Sequence, residues 1–218
     1  MSVLVRNLGL QDYLPLLEQM QTYTLTRDKD SSDQIWQLQH PPVYTQGLNG
    51  KPEHLIRANN IPVIKTDRGG QVTYHGPGQA ISYVLIDIQR LGIGVNDFVN
   101  RLEQSVIDLL SDFELDGQRL QGAPGVYIDG KKIAALGLRI KHGRSYHGLS
   151  LNIDMDLSPF ADINPCGYPE LEVTQLKDLG VTEGIDEINQ RLLRHLHFNL
   201  GYNSSAATRS KVKDKSHE

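Results

Sequence analysis

The sequence predicts an α/β (α+β) fold: a single domain in which a mixed, largely antiparallel sheet packs with helices. Three observations carry this. Apolar segments of helical and of strand periodicity are intermixed without a strict β-α-β alternation. A hairpin signal, Asp129-Gly130, sits between two apolar runs, and a type I′ turn needs positive φ at both central residues. Of 218 residues, 39% are hydrophobic and 22% charged, enough apolar matter for one sizeable core.

Taken in order, Leu10 to Arg27 reads as an amphipathic helix, with Tyr13, Leu14, Leu17 and Met20 at helical spacing. Ile35 to Thr45 is extended chain broken by Pro41 and Pro42, and Ile61 to Lys65 is a short strand. Ala80 to Ile88, "AISYVLIDI", is apolar and branched, as a buried strand requires. Val95 to Phe113 is a second helix, with Asn96 as the expected N-cap. Gly125 to Ile140 forms the hairpin, Tyr146 to Asp154 continues as strand, and Ile185 to Leu200 is a final helix. The expected organisation is one ordered domain over residues 1–202 and a polar, disordered tail over 203–218.

A single cysteine excludes an internal disulfide, and the start of the chain lacks the basic and apolar regions of a secretion signal. No apolar run is long enough to span a bilayer, so the expectation is a cytoplasmic protein without a membrane partner. The net charge of −4 argues against a nucleic-acid partner. One cysteine and scattered histidines give no metal-ligand spacing.

Two segments carry chemistry. In "RGGQVTYHGPGQ", Arg68 to Gln79, four glycines surround Arg68, Thr73, Tyr74 and His75. Such glycines let backbone amides approach a ligand closely, and Arg68 is suited to a carboxylate or phosphate. The segment lacks the Gly-Lys-Ser/Thr of a P-loop. A plain turn between strands reads the same way. The other segment is "INPCGYPELEVTQL", Ile163 to Leu176, which displays Cys166 in a Pro- and Gly-flanked turn. A lone cysteine is ordinarily a small hydrophobe, but turns lie at surfaces and clefts. A nucleophilic thiol there needs a neighbour that lowers its pKa from about 8.5. Lys131, Lys132, His75, His142 and His147 all qualify. A two-residue turn pairs Tyr127 with Lys132 and Ile128 with Lys131, and simple alternation puts Lys132 on one face with Ala134 and Leu136. His195 and His197 read as surface or edge residues.

Together, "RGGQVTYHGPGQ", "GAPGVYIDGKKIAALGLRI" and "HGLSLNIDMDLSPFADINPCGYPELEVTQL" closely resemble lipoyl(octanoyl) transferases, over roughly Asp33 to Tyr202. The resemblance implies the biotin/lipoate protein ligase-like catalytic fold, no cofactor, and transfer of an octanoyl group from octanoyl-acyl carrier protein to a lysine of a lipoyl domain. The implied acceptors are the lipoyl domains of 2-oxoacid dehydrogenase E2 subunits and the glycine cleavage H protein. It implies Cys166 as the acyl carrier and Lys132 as the residue that lowers its pKa. It implies an acyl pocket built from Arg68, Gly69, Gly70, Gln71, Val72, Thr73, Tyr74 and His75, from Ala135, Leu136 and Gly137, and from Gly148, Leu149 and Ser150. Oxyanion donors are expected among the backbone amides of Gly76 to Gly78 or at Gly167. The same fold also accommodates ATP-dependent ligases, which need no nucleophilic cysteine.

Overall fold

The computed structural model describes residues 2–57, 59–164 and 171–202. Ten strands and three helices are present among them: β1 (Val3–Leu10), α1 (Tyr13–Thr26), β2 (Asp33–Gln39), β3 (Val43–Gln46), β4 (Val63–Lys65), β5 (Val72–His75), β6 (Gln79–Leu85), α2 (Val95–Ser111), β7 (Gln118–Leu120), β8 (Ala123–Ile128), β9 (Lys131–Lys141), β10 (Arg144–Asn152) and α3 (Ile185–Leu200). The main sheet has seven strands in the order β1-β2-β6-β10-β9-β8-β7, and a three-stranded sheet runs β4-β3-β5. In the main sheet only β1 and β2 pair in parallel. The three helices agree with the sequence reading to within a few residues, whereas β1 and β7 were not expected.

Period-2 alternation explains why β6 is buried throughout. Ala80 and Val84 point to one face, where they join Ile35, Leu149, Leu151 and the apolar stripes of α2 and α3. Ile81, Tyr83 and Leu85 point to the other, against Tyr13, Leu16, Leu17 and Met20 of α1. The smaller sheet has its own cluster of Tyr44, Val72, Tyr74, Phe160 and Ile163. The N-cap of α2 is Gly94, with no side-chain hydrogen bond, rather than Asn96. Asp33 is buried yet fully paired: Arg27 and Arg90 lie 2.7 and 2.6 Å away, and the Tyr202 hydroxyl donates to it over 2.8 Å. A buried carboxylate requires such compensation. It also ties α1, β2 and the end of α3 together.

The Asp129-Gly130 turn forms as expected, with φ of +49° and +79°, and Tyr127 pairs with Lys132, Ile128 with Lys131. Two residues further on the ladder breaks. Val126 pairs with Ala134, so Ile133 is the extra residue of a β-bulge. The bulge overturns the simple alternation. Ile133 and Ala134 both turn into the α2/α3 core, and Lys132 shares a face with Ala135 instead of Ala134.

Candidate active site

Two adjoining cavities lie between the main sheet and the smaller one. The larger, of about 490 Å³ with its open mouth, is lined by Arg68, Gly70, Gln71, Val72, Thr73 and His75 from the glycine-rich segment. From β9 it takes Ala135, Leu136 and Gly137, and from β10 Gly148, Leu149 and Ser150. The smaller is lined by Lys132 together with Gln79, Asn152, Phe160 and Val173. Both are lined by Thr73, Ala135 and Ser150, so they meet there. Two of the expected pocket residues stand outside. Gly69 donates its backbone N–H to Leu138 O over 2.9 Å and lines a separate surface groove. Tyr74 packs its ring against Tyr44 and Phe160 on the far side of β5. The expectation of a loop here is half right: Arg68 to Gln71 are irregular, but Val72–His75 is a strand paired with β3.

The two lysines of the hairpin have opposite fates. Lys131 is exposed and meets Glu172 at 2.7 Å on the surface. Lys132 is 3% exposed. Its Nζ donates to the Pro124 carbonyl over 3.1 Å and sits 5.2 Å from the centre of the Tyr127 ring. The bulge brings it there, and Gly125 makes room: with φ of +141°, a Cβ at that position would lie 2.9 Å from Lys132 Cε. Cys166 and Gly167 lie outside the described residues. The chain on either side of that segment is held firmly. Asn164 N–H donates to His54 O over 2.8 Å. Beyond it, Lys132 N–H donates to Glu172 O and Thr174 N–H to Lys132 O, so residues 172–174 run alongside Lys132 as a bridge.

A buried amide relay connects this bridge to His75. Asn152 Nδ2 donates to Thr174 O, and Gln79 Nε2 donates to Asn152 Oδ1, both over 2.9 Å. Gln79 Nε2 also lies 3.3 Å from Tyr74 O. Backbone carbonyls only accept, so the direction of the relay is chemically fixed. Gln79 Oε1 must then accept from His75 Nδ1, 2.7 Å away, which leaves Nε2 of His75 as an acceptor. Burial and the nearby His40 push the His75 pKa down to about 3, so the ring is neutral. Arg68 lines the larger cavity and also braces the loop. Its guanidinium donates to Thr45 O (2.6 Å), Thr45 Oγ1 and Gly69 O, bracing the glycine-rich segment on β3.

Sequence reasoning missed Tyr13, Ile81 and Tyr83, and weighed His147 only as a partner for the thiol; all four line the larger cavity. His147 has φ of +60°, uncommon for a residue with a side chain. That twist turns its ring to Asp67, with Nε2 3.0 Å from Oδ1, and stacks it on Tyr146. Burial works to raise the Asp67 pKa, but hydrogen bonds from His147 and Tyr146 outweigh it and hold the carboxyl well below the usual carboxylate range. Gly148 follows because a Cβ there would lie 2.0 Å from Ser82 O on β6. His142 stands at the exposed β9–β10 turn, and His195 pairs with Asp112, away from both cavities. His197, expected at a surface or edge position, is buried beside Tyr202. Among the expected oxyanion donors, the N–H of Gly78 is engaged by Gln39 Oε1 at 2.7 Å, and Pro77 has no N–H.

This architecture, a mixed sheet beside an apolar cavity lined by a buried lysine, defines a protein of the acyl-ligase fold. Lipoate-protein ligase A bound with ATP superposes with a TM-score of 0.80, covering 99% of this chain and 91% of that one at 16% identity. The biotin protein ligase of Aquifex aeolicus superposes with a TM-score of 0.52, over 92% of this chain and 71% of that one at 12% identity. At such identities the likeness speaks for the fold. The sequence comparisons narrow it. The family of the lipoyl protein ligase A/B catalytic domain matches residues 12–197. An octanoyltransferase of Chromobacterium violaceum is 52% identical over 207 residues, 95% of this chain and 100% of that one. An octanoyltransferase of Stutzerimonas stutzeri is 57% identical over 198 residues, 91% and 90% of the two chains. The chain belongs to the lipoyl protein ligase A/B catalytic family, among its octanoyltransferases, and is an acyltransferase. No described helix is long and apolar enough to cross a membrane.

Proposed function

We propose that the protein moves an octanoyl group from octanoyl-acyl carrier protein onto the target lysine of a lipoyl domain, the latter in a 2-oxoacid dehydrogenase E2 subunit or a glycine cleavage H protein. The group travels by way of a thioester on Cys166. The observation that carries this reading is Lys132: a buried lysine lining the smaller of two adjoining apolar cavities, its backbone paired with the chain that follows the Cys166 segment. Burial of a lysine without function is costly.

The chemistry runs in two displacements. The Cys166 thiolate, favoured by the positive charge of Lys132, attacks the carrier thioester and expels the carrier thiolate, which takes a proton from Lys132 and leaves that amine neutral. The amine of the acceptor lysine then attacks the Cys166 thioester. It loses its proton to Lys132 or to water, and the thiolate departs, leaving an amide. Exchange of one thioester for another is close to neutral, and amide formation runs downhill, so ATP is not consumed. The methylenes of the octanoyl chain contribute about 0.8 kcal/mol each when buried in the larger cavity. Thr73, Gly70, Gly137 and Gly148 leave the space for it.

The test offers the protein octanoyl-carrier protein and a lipoyl domain without ATP, and separately octanoate with ATP. Transfer in the first mixture alone, lost in Cys166→Ala, is the expected outcome. Transfer only from octanoate and ATP would make the protein a ligase. Undiminished transfer by Cys166→Ala would mean direct attack of the acceptor on the carrier thioester.

A further inference from the structure

Besides its small residues, the larger cavity carries a group of aromatic and imidazole rings. Along the sheet, Ala135, Ser150 and Ile81 form one row of neighbours, and Gly137, Gly148 and Tyr83 the next. Lys132 lies on the side of Ala135 away from Gly137. With a rise near 3.3 Å per residue, Lys132 and the Tyr83 row are separated by roughly 13 Å, the scale of a medium-chain acyl group. Tyr83 is one of four rings that line the cavity, with Tyr13, His75 and His147.

Behind Tyr83 stands His40, fully buried. His40 Nδ1 lies 2.6 Å from Gln11 O, and Nε2 lies 2.7 Å from the Tyr83 hydroxyl. The carbonyl of Gln11 can only accept, so Nδ1 carries the proton and Nε2 accepts from Tyr83. Burial pushes His40 down to about 4 and Tyr83 well above its ordinary value, so both rings stay neutral. Tyr83 is therefore pinned at both ends, by its own strand in the middle of the main sheet and by a hydrogen bond into a buried acceptor. An alkyl chain arriving from Lys132 meets a rigid, uncharged ring.

We propose that Tyr83, held by His40, is the stop that sets the acyl chain length this enzyme accepts. His40 is a positioning residue and touches no substrate in this account. The inference rests on the acyl-transfer reading above, because that reading puts the octanoyl chain in the larger cavity with its reacting carbonyl on the Lys132 side.

The test supplies the full-length protein with octanoyl-, decanoyl- and dodecanoyl-carrier protein in turn, with a lipoyl domain as acceptor, and reads kcat/KM for each. The unaltered protein should favour octanoyl. Tyr83→Ala should raise the decanoyl-to-octanoyl ratio on the order of tenfold, since two further methylenes find room. His40→Leu should move the same ratio in the same direction, because the ring loses its anchor, and an unchanged ratio would remove His40 from the account. Lys132→Met should lower all three rates and leave the ratio alone. Should Tyr83→Ala not fold, Tyr83→Leu takes its place. Calorimetric binding of decanoate against octanoate reads the same preference without turnover. A ratio unmoved by opening position 83, or an unaltered protein indifferent to chain length, overturns the stop. Failure of the acyl-transfer reading looks different: the unaltered protein would then transfer none of the three.

Discussion

Asn152→Ala should destabilise the protein by about 2–4 kcal/mol and slow transfer as well. Asn152 is 5% exposed, and each end of its amide has a buried partner. Truncation strands the Thr174 carbonyl and one N–H of Gln79. A buried polar group left unpaired costs about 1–3 kcal/mol. The Gln79 share falls at the low end, because its amide still lies 3.3 Å from Tyr74 O. For a chain of this size the sum corresponds to a fall in Tm of about 5–15 °C. The damage also reaches the site. Thr174 is the residue whose N–H donates to Lys132 O, so loosening it loosens the bridge beside the proposed active lysine. Urea unfolding gives the first quantity, and the alkylation rate of Cys166 at pH 7 reports the second. Asn152→Asp sharpens the test. At neutral pH it would set a carboxylate oxygen against the Thr174 carbonyl, and should cost at least as much as alanine. A cost below about 0.5 kcal/mol for alanine, or an aspartate variant more stable than the alanine variant, would refute the hydrogen-bond direction deduced here.

Other outcomes follow from the same geometry. Lys132→Met preserves volume and should lower transfer by roughly 10²–10⁴-fold, the usual contribution of a proton-transferring group. It should also raise the midpoint of the Cys166 alkylation pH profile, and an unshifted midpoint would turn attention to His75 or His147. His40 and His75 have folded pKa values depressed to about 4 and about 3. Below pH 6.5 the unfolded chain therefore binds more protons than the folded one, and stability falls with pH down to those values. The loss is on the order of 1 kcal/mol per pH unit for each ring. Urea midpoints that stay flat between pH 7 and 5 would contradict this. Gly148→Ala should force β6 aside, because its Cβ would meet Ser82 O at 2.0 Å. Overpacking of this kind costs about 1–3 kcal/mol or more, readable as a drop in Tm together with weaker octanoate binding.

What the sequence made legible divides along physical lines. The three helices and the central hairpin were readable because amphipathic periodicity and a Asp-Gly turn are local signals. The hairpin even yielded the Tyr127–Lys132 pairing. The direction of Lys132 was not readable. It depends on a bulge at Ile133 accommodated by Gly125 across the ladder, a feature of two strands at once. β1 was missed because Val3 and Val5 give only a short alternation before the helix pattern begins. Val72–His75 looked like part of a loop because glycines flank it, yet pairing with β3 makes it a strand. Most of the pocket-lining residues came from the family resemblance. The tyrosines of the cavity and the histidine behind them did not, since Tyr13, His40 and Tyr83 belong to separate segments with no shared motif. The positive φ of His147, which aims its ring at Asp67, likewise leaves no trace in the sequence.

The central claim is a covalent octanoyl thioester on Cys166. Its most direct test is the intact mass of the protein after mixing with octanoyl-carrier protein in the absence of acceptor, followed by peptide mapping. One octanoyl group on the Cys166 peptide, discharged when a lipoyl domain is added and absent from Cys166→Ala, is the expected result. An unmodified mass in a preparation that transfers octanoate at full rate would contradict the account.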